Sequence, residues 1–310
     1  MAGGNFQRAV SGRSAGLAAG ALVFNALVWG VSWWPFRQLQ GHGLHPLWAT
    51  AVMYLLIAAG LLLVHARVWR AFAASPALWL LGMAAGLTNV GFNWAVTVGD
   101  VVRVVLLFYL MPAWSVLVAW ALLGEKPTPA SLLRLALAMA GVLIVLKTPE
   151  SPWPIPQGAP DWLALGGGLS FALTNALLRY SGHTPGSARM LAMFGGSGLM
   201  AAAAALLGMS VQLVPAPALA LAGIPMLLAL SLAFMASNAA LQYGAARLAA
   251  GTTALVMLTE ILFASGSSVA LGAAEFSPRI LLGGGLIVLA ALLAALAPSG
   301  EDGPESAKSP

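Results

Sequence analysis

Five of the six asparagines in this 310-residue chain lie inside strongly apolar stretches. They are Asn25, Asn89, Asn93, Asn175 and Asn238, and Gln242 follows one turn after Asn238. Asn89/Asn93 and Asn238/Gln242 are spaced i, i+4, so each pair shares one face of a helix. A neutral amide offers donors and an acceptor without a charge to desolvate. Facing hydrocarbon, those groups would go unpaired at a cost of several kcal/mol each. These side chains must therefore meet other helices or a wet cavity. Aromatic rings accompany them. Trp29 lies four residues after Asn25, and Trp33 one turn later. Phe171 shares a face with Asn175, and Tyr109 shares one with Pro112. Rings for an apolar body and amides for a polar head make a binding surface for a small amphipathic solute. The rival role is packing, with amides as interhelical hydrogen bonds worth about 0.6–2 kcal/mol each. For the set as a whole the cavity is favoured; for any one residue both roles stay open. Trp48, Trp69, Trp153 and Trp162 sit near the ends of apolar stretches and read as an interfacial belt.

Glu260 is the only acid well inside an apolar stretch. Such a residue is a functional candidate in a membrane. It suits a coupling proton or a substrate ammonium, and it suits a structural hydrogen bond at a helix break, the plainer role. Glu125 and Glu275 at stretch ends read as caps or loop pairs. Arg37 and Arg179 occupy equivalent ends and read mainly as interfacial anchors. Catalytic residues are not expected. There are no cysteines, so disulfides, thiolate metal sites and a Cys nucleophile are excluded. Asp occurs only at 100, 161 and 302, and His only at 42, 45, 65 and 183, without ligand spacing on one helix. His42 and His45 fall in a loop and read as solvated. Neither a metal site nor a cofactor is expected. A polytopic membrane enzyme would need acid clusters or a His/Asp pair. An ion channel would need charged rings or a filter loop.

The elements that must position these residues are membrane helices. Apolar residues make up 60% of the chain and charged residues 7%, where a soluble domain has about 25%. The net charge of +5 is scattered through short loops and does not read as nucleic-acid affinity. Helices of about 20 residues span the hydrocarbon core. The pattern predicts ten spans: 17–38, 46–66, 76–98, 101–123, 130–147, 161–180, 187–208, 217–242, 252–273 and 279–297. Arg8 and Arg13 precede the first, which is too long for a signal-peptide core and is expected to be a retained helix. Pro46, Pro76, Pro129 and Pro217 stand near span starts, where a missing N–H costs little.

The stretch 148–160 carries Pro149, Pro152, Pro154, Pro156 and Pro160 and reads as a stiff periplasmic linker. It divides the chain into an N-terminal segment 1–16, a first repeat 17–147, a second repeat 161–297 and a cytoplasmic tail 298–310. Ten spans with both termini inside place only Arg37, Arg103, Lys147 and Arg279 outside, out of fourteen Lys and Arg. That bias fixes the orientation. Sliding one half along the other sets Trp29, Ser32 and Arg37 on Phe171, Thr174 and Arg179. It also sets Asn89, Asn93 and Trp94 on Asn238, Gln242 and Tyr243, and Glu125 on Glu275. Five spans per half give the halves opposite orientations. The fold expectation is an all-α polytopic membrane protein of two inverted five-helix repeats, with a site near the midplane.

Three local patterns give the chain a family likeness. They are Leu110-Met111-Pro112-Ala113-Trp114 followed by Leu123-Gly124-Glu125-Lys126-Pro127, the echo Thr259-Glu260-Ile261-Leu262-Phe263-Ala264 before Glu275, and Trp29-Gly30-Val31-Ser32. On these, the chain resembles the drug/metabolite transporter superfamily in its ten-helix EamA-type branch, over about residues 15–297. Within it the chain looks most like the YddG-type aromatic amino acid exporters. The resemblance implies a secondary transporter of a bacterial inner membrane, exporting aromatic amino acids and methionine by alternating access. A multidrug or other metabolite exporter of the same fold is the alternative cargo. The partners implied are a small-molecule substrate and the lipid bilayer, with no nucleic acid; a monomer is one admissible assembly. Pro112 should kink span 4 and suits a gate or a fixed bend. Ile261 stands where the family often has proline, so span 9 has no proline to impose the matching kink. Glycines such as Gly82 and Gly86, Gly195-Gly196 and Gly283 to Gly285 are expected at close helix seams.

Overall fold

The computed structural model describes residues 2–98, 101–146, 156–218, 220–272 and 277–296. Side chains before Ala15, and those of Arg103 and a few neighbours, are not described. Lys147, Glu275, most of the proline-rich linker and the tail 298–310 lie outside the described residues.

Regular structure among the described residues is entirely helical: α1 (Ala2–Val31), α2 (Trp33–Gly41), α3 (Pro46–Val64), α4 (Val68–Ala73), α5 (Pro76–Val98), α6 (Val101–Phe108), α7 (Met111–Leu123), α8 (Pro129–Leu146), α9 (Ala159–Tyr180), α10 (Gly186–Ser210), α11 (Ile224–Ala245), α12 (Ala250–Met257), α13 (Glu260–Ala270) and α14 (Pro278–Ala295). Among the described residues, five helical stretches are long and apolar enough to cross a membrane: Ala15–Gly41, Pro46–Val64, Gly186–Ser210, Leu221–Ala245 and Ala250–Ala270. Met111–Leu123, Pro129–Val145 and Leu281–Ala295 are shorter apolar helices. Large apolar side chains such as Leu63, Trp120, Leu199, Leu232 and Leu281 point outward, as lipid requires and water would not favour.

The boundaries follow local chemistry. Pro46, Pro129 and Pro278 open α3, α8 and α14, where no intrahelical N–H bond is lost. Thr128 and Ser131 cap α8 reciprocally: Thr128 N–H donates to Ser131 Oγ at 2.9 Å, and Ser131 N–H to Thr128 Oγ1 at 3.1 Å. His45 is buried rather than solvated as expected. Its Nδ1 accepts from Leu47 N–H at 3.2 Å, and burial lowers its pKa below 6.5. The eighth span begins at Leu221, with a short 3-10 turn (Leu221–Gly223) leading into α11, rather than at 217. The chain before it is held as a loop, with Ala218 N–H on Gly43 O and Ala220 N–H on His42 O. Ala159 and Pro160, assigned to the linker, form the first turn of α9, and residues 2–16 are helical.

Three of the ten stretches are broken, where only one kink was expected. In span 4, Pro112 has no N–H for Phe108 O. The helix stops at Phe108 and restarts at Met111, bridged by Leu110 N–H on Leu107 O and Ala113 N–H on Leu110 O. Span 9 breaks at Leu258–Thr259 without a proline, contrary to the weight placed on Ile261. Thr259 Oγ1 donates back to Val256 O at 2.8 Å. The backbone tightens to i→i−3 bonds at Leu258, Thr259, Ile261 and Leu262. Span 1 breaks at Ser32, whose hydroxyl donates to Trp29 O at 2.7 Å. Pro35, three residues on, removes the N–H that Val31 O would use.

The breaks sit against glycine. A Cβ on Gly168 of α9 would lie 2.7 Å from Phe108 O, and one on Gly30 of α1 would lie 2.6 Å from Glu260 O. Helix pairing also runs in matched sets. α5 packs along α9 and α1 along α11; α7 packs on α9, and α12 and α13 on α1. α8 pairs with α14, and α3 with α10. One set is unequal: α5 packs extensively on α10, while α3 touches α11 lightly. The α5–α10 seam is made by Gly82 and Gly196, where a Cβ on Gly196 would run into the Gly82 carbonyl oxygen. Gly195 and Gly285 have open space instead, so those two make no seam.

This seam yields a paired prediction. Gly196→Ala should lower thermal stability in detergent by about 1–3 kcal/mol, because the clash is with backbone that cannot move aside. Gly195→Ala, next in sequence, should leave the melting temperature unchanged. Equal melting of the two variants would contradict the packing described.

Candidate functional site

The three breaks converge on one cavity. Its empty space is about 840 Å³ including its open side, within the range of small-molecule sites. Asn25 and Trp29 of α1 line it just before the Ser32 break; Phe108 and Met111 flank the α6/α7 break; Met257 and Glu260 flank the α12/α13 break. The remaining wall comes from α5 (Thr88, Asn89, Phe92, Asn93), α9 (Phe171, Thr174), α10 (Met193, Phe194, Ser197), α11 (Phe234, Asn238, Leu241) and Tyr54 of α3.

Two groups of rings face the space. Trp29 meets Phe234 edge-on at 4.7 Å, and Tyr54 meets Phe194 at 5.0 Å and Phe234 at 5.9 Å. Phe108 lies 4.8 Å from Phe92 and 6.2 Å from Phe171. Rings packed this way hold each other's orientation and present an apolar surface to a guest.

Amides interrupt the rings, and they are unequally committed. Asn25 Nδ2 donates to Ser237 O at 2.9 Å and Ser237 Oγ at 2.5 Å, tying α1 to α11. Asn89 Nδ2 donates to Ala85 O and Ser197 Oγ, while its Oδ1 faces the Tyr54 hydroxyl at 3.4 Å. Asn93 Nδ2 donates to Thr50 Oγ1 at 3.1 Å. Asn238 Oδ1 accepts from Gln242 at 2.7 Å, but its Nδ2 finds only the Met193 sulfur at 3.4 Å, a weak acceptor. Asn238 is thus the wall amide with the most donor capacity left for a guest. Glu260 is the one acid on the wall among the described residues, and its carboxyl interacts with the Tyr109 hydroxyl.

Of the residues singled out in the sequence, Asn25, Trp29, Asn89, Asn93, Phe171, Asn238 and Glu260 border this cavity. The others do not. Trp33 Nε1 donates to Ser267 Oγ at 2.9 Å and ties α2 to α13. Tyr109 is buried behind Glu260. Asn175 is buried away from the cavity, with neither amide atom hydrogen-bonded. Gln242 stands beneath Asn238, accepting from Arg189. Pro112 lines a second, smaller hollow between α7, α8 and α12. Arg179 is not simply an anchor: its guanidinium lies 2.9 Å from the buried Glu125 carboxylate, joining the ends of α9 and α7. Tyr54, Phe92, Phe108, Met193, Phe194, Ser197 and Phe234 were not foreseen. Phe234 lies one turn before Asn238 and Phe92 three residues after Asn89, so stepping one turn from each asparagine would have found them. No group of His, Asp and Glu among the described residues could hold a metal ion.

Asn25→Leu should remove both bonds to Ser237 and set a branched apolar side chain against its buried hydroxyl, at about 1–3 kcal/mol. Thermal unfolding in detergent measures this, and an unchanged melting temperature would contradict a structural role for Asn25.

Known proteins add the following. Residues 16–147 match the EamA-like transporter family, so the first part of the chain carries a domain of that kind. No curated protein matches the chain. Twenty-six solved chains match it. One, described only as the crystal structure of a protein, has a TM-score of 0.72 and 18% identity, covering 89% of this chain and 96% of its own. At that identity the likeness is one of fold.

Proposed function

We propose that this chain is a ten-span secondary transporter of two inverted repeats that carries small amphipathic solutes, aromatic amino acids and methionine foremost, by alternating access to the central cavity. The observation that carries the reading is the cavity itself: a ring-lined chamber with neutral amides and one carboxyl, placed where three helices lose their regular ladder. The EamA-like domain over residues 16–147 supports transport as the activity. The matched helix pairings support the repeat, and the unequal α5–α10 and α3–α11 contacts suit one pose of a two-pose carrier.

In this reading the rings around Trp29 and Phe108 hold the solute's apolar body. Asn238 and Glu260 meet its polar head. The broken helices bend to close one end as the other opens, and the glycines beside the breaks let them approach. By charge bias, the end carrying Glu125 and Arg179 is cytoplasmic, and the membrane is a bacterial inner membrane. A cationic amphiphile is a second cargo, favoured by Glu260 as the sole charged group on the wall among the described residues.

Reconstituted protein should show counterflow: labelled phenylalanine enters faster into liposomes preloaded with tryptophan or methionine than into empty ones. Asn238→Leu should raise the half-saturating concentration by about tenfold, the worth of one buried hydrogen bond to a charged head. Counterflow of a cationic drug alone would replace the cargo. If Glu260 carries a proton, Glu260→Gln should abolish uptake driven by a pH gradient and spare counterflow; equal pH dependence would assign Glu260 to the helix break alone.

A further inference from the structure

Beneath Asn238 a line of polar side chains leads out of the cavity to a guanidinium that the wall does not account for. Gln242, one turn further along α11, donates to Asn238 Oδ1 at 2.7 Å and accepts at Oε1 from Arg189 Nε at 3.1 Å. Arg189 NH1 donates to Ser181 O at 3.1 Å. Arg189 stands on α10 one turn before Met193 and two before Ser197, and both of those face the cavity. Side chains at that spacing share a helix face, so Arg189 lies under the cavity floor.

Among the described residues the charge of Arg189 has no counterpart. The side chain is 9% exposed, and its bonds go only to an amide and a carbonyl oxygen. The charged neighbour is a second cation, Arg247, itself bonded to Tyr243 O and stacked 3.8 Å above the Tyr243 ring. Described acids are Glu125, Asp161 and Glu260. Glu125 pairs with Arg179, Asp161 accepts from Gln157 N–H, and Glu260 sits at the α12/α13 break beside Tyr109. A desolvated guanidinium with no anion is unfavourable. With Nε on Gln242 and NH1 partly on Ser181, its outer NH1–NH2 edge keeps N–H groups in the fork geometry that grips a carboxylate with two bonds.

We propose that Arg189 binds the carboxylate of the transported solute on its path just beyond the cavity wall, behind Asn238 and Gln242, and that the cargo is therefore an anion or zwitterion rather than a simple cation. This rests on the transporter reading. Gln242 holds the guanidinium in place and links it to Asn238, so a carboxylate released by Arg189 next meets the Asn238 amide. Glu260, at the break, is placed for an ammonium. A zwitterion thus finds opposite charges at separate points of its path, with no ion pair between them to neutralise either.

Binding tests this without needing transport. Full-length protein in phosphatidylcholine nanodiscs is titrated with phenylalanine, 3-phenylpropionate and phenethylamine, read as shifts in thermal unfolding. The two carboxylates should bind about tenfold or more tightly than the amine, and Arg189→Gln should erase that difference while leaving amine binding unchanged. A parent that prefers the amine overturns the carboxylate site and leaves a carrier of cationic amphiphiles. A preference surviving in Arg189→Gln overturns the role of Arg189. Should that variant fail to fold, Arg189→Lys keeps the charge and loses the two-pronged grip. A preference reduced by about threefold or more then supports the site, and an unchanged preference overturns it. Loss of carboxylate binding on adding phosphatidylglycerol would put a lipid phosphate there instead. A parent that binds none of the three overturns this site together with the proposed cargo.

Discussion

In hydrocarbon, a backbone N–H or C=O must find its partner inside the protein. The arrangement of this chain depends on that constraint. A helix can lose its ladder only where neighbours shield the freed groups. Here α1/α2, α6/α7 and α12/α13 lose it beside the same interior space. The freed groups are handled locally, by the Ser32 and Thr259 hydroxyls and by i→i−3 bonds. Gly30 and Gly168 let the neighbouring helix come up against the open turn. The cavity is thus bordered by backbone that is already irregular, and irregular backbone bends at less cost than an intact helix.

The polar side chains divide along the same line. Asn25, Asn89 and Asn93 spend their donors on Ser237, Ser197 and Thr50, holding α1 to α11, α5 to α10 and α5 to α3. They shape the chamber by fixing its walls. Asn238 spends its donor on a thioether and remains available. The amides thus differ in how far they are committed to holding helices together, decided by which oxygen lies within reach across the seam.

The sequence carried the helices well and the site in part. Long apolar runs bounded by proline place most of the helices to within a few residues, the starts of α1 and α11 excepted, because membrane helices need length and lack contrast with turns only at their ends. The break at Pro112 was legible, since proline cannot donate. The breaks at Ser32 and Thr259 were not, because a hydroxyl bonding back to a carbonyl leaves no mark distinct from any other Ser or Thr. Asn238, Gln242 and Asn175 look alike as buried amides. Only the fold shows that the first faces the cavity, the second props Arg189 and the third faces neither. Phe234 and Met193 were hidden because an apolar residue on an apolar helix does not announce which side is hollow.

The central claim is that one interior chamber opens in turn to both faces of the membrane. The chain has no cysteine, so a single Ser197→Cys substitution supplies a unique thiol on the cavity wall. Its reaction with a membrane-impermeant thiol reagent can be measured in right-side-out and inside-out vesicles, with and without phenylalanine. The account predicts labelling from both sides, with the ratio shifted by the solute. Labelling from one side only, indifferent to solute, would contradict it.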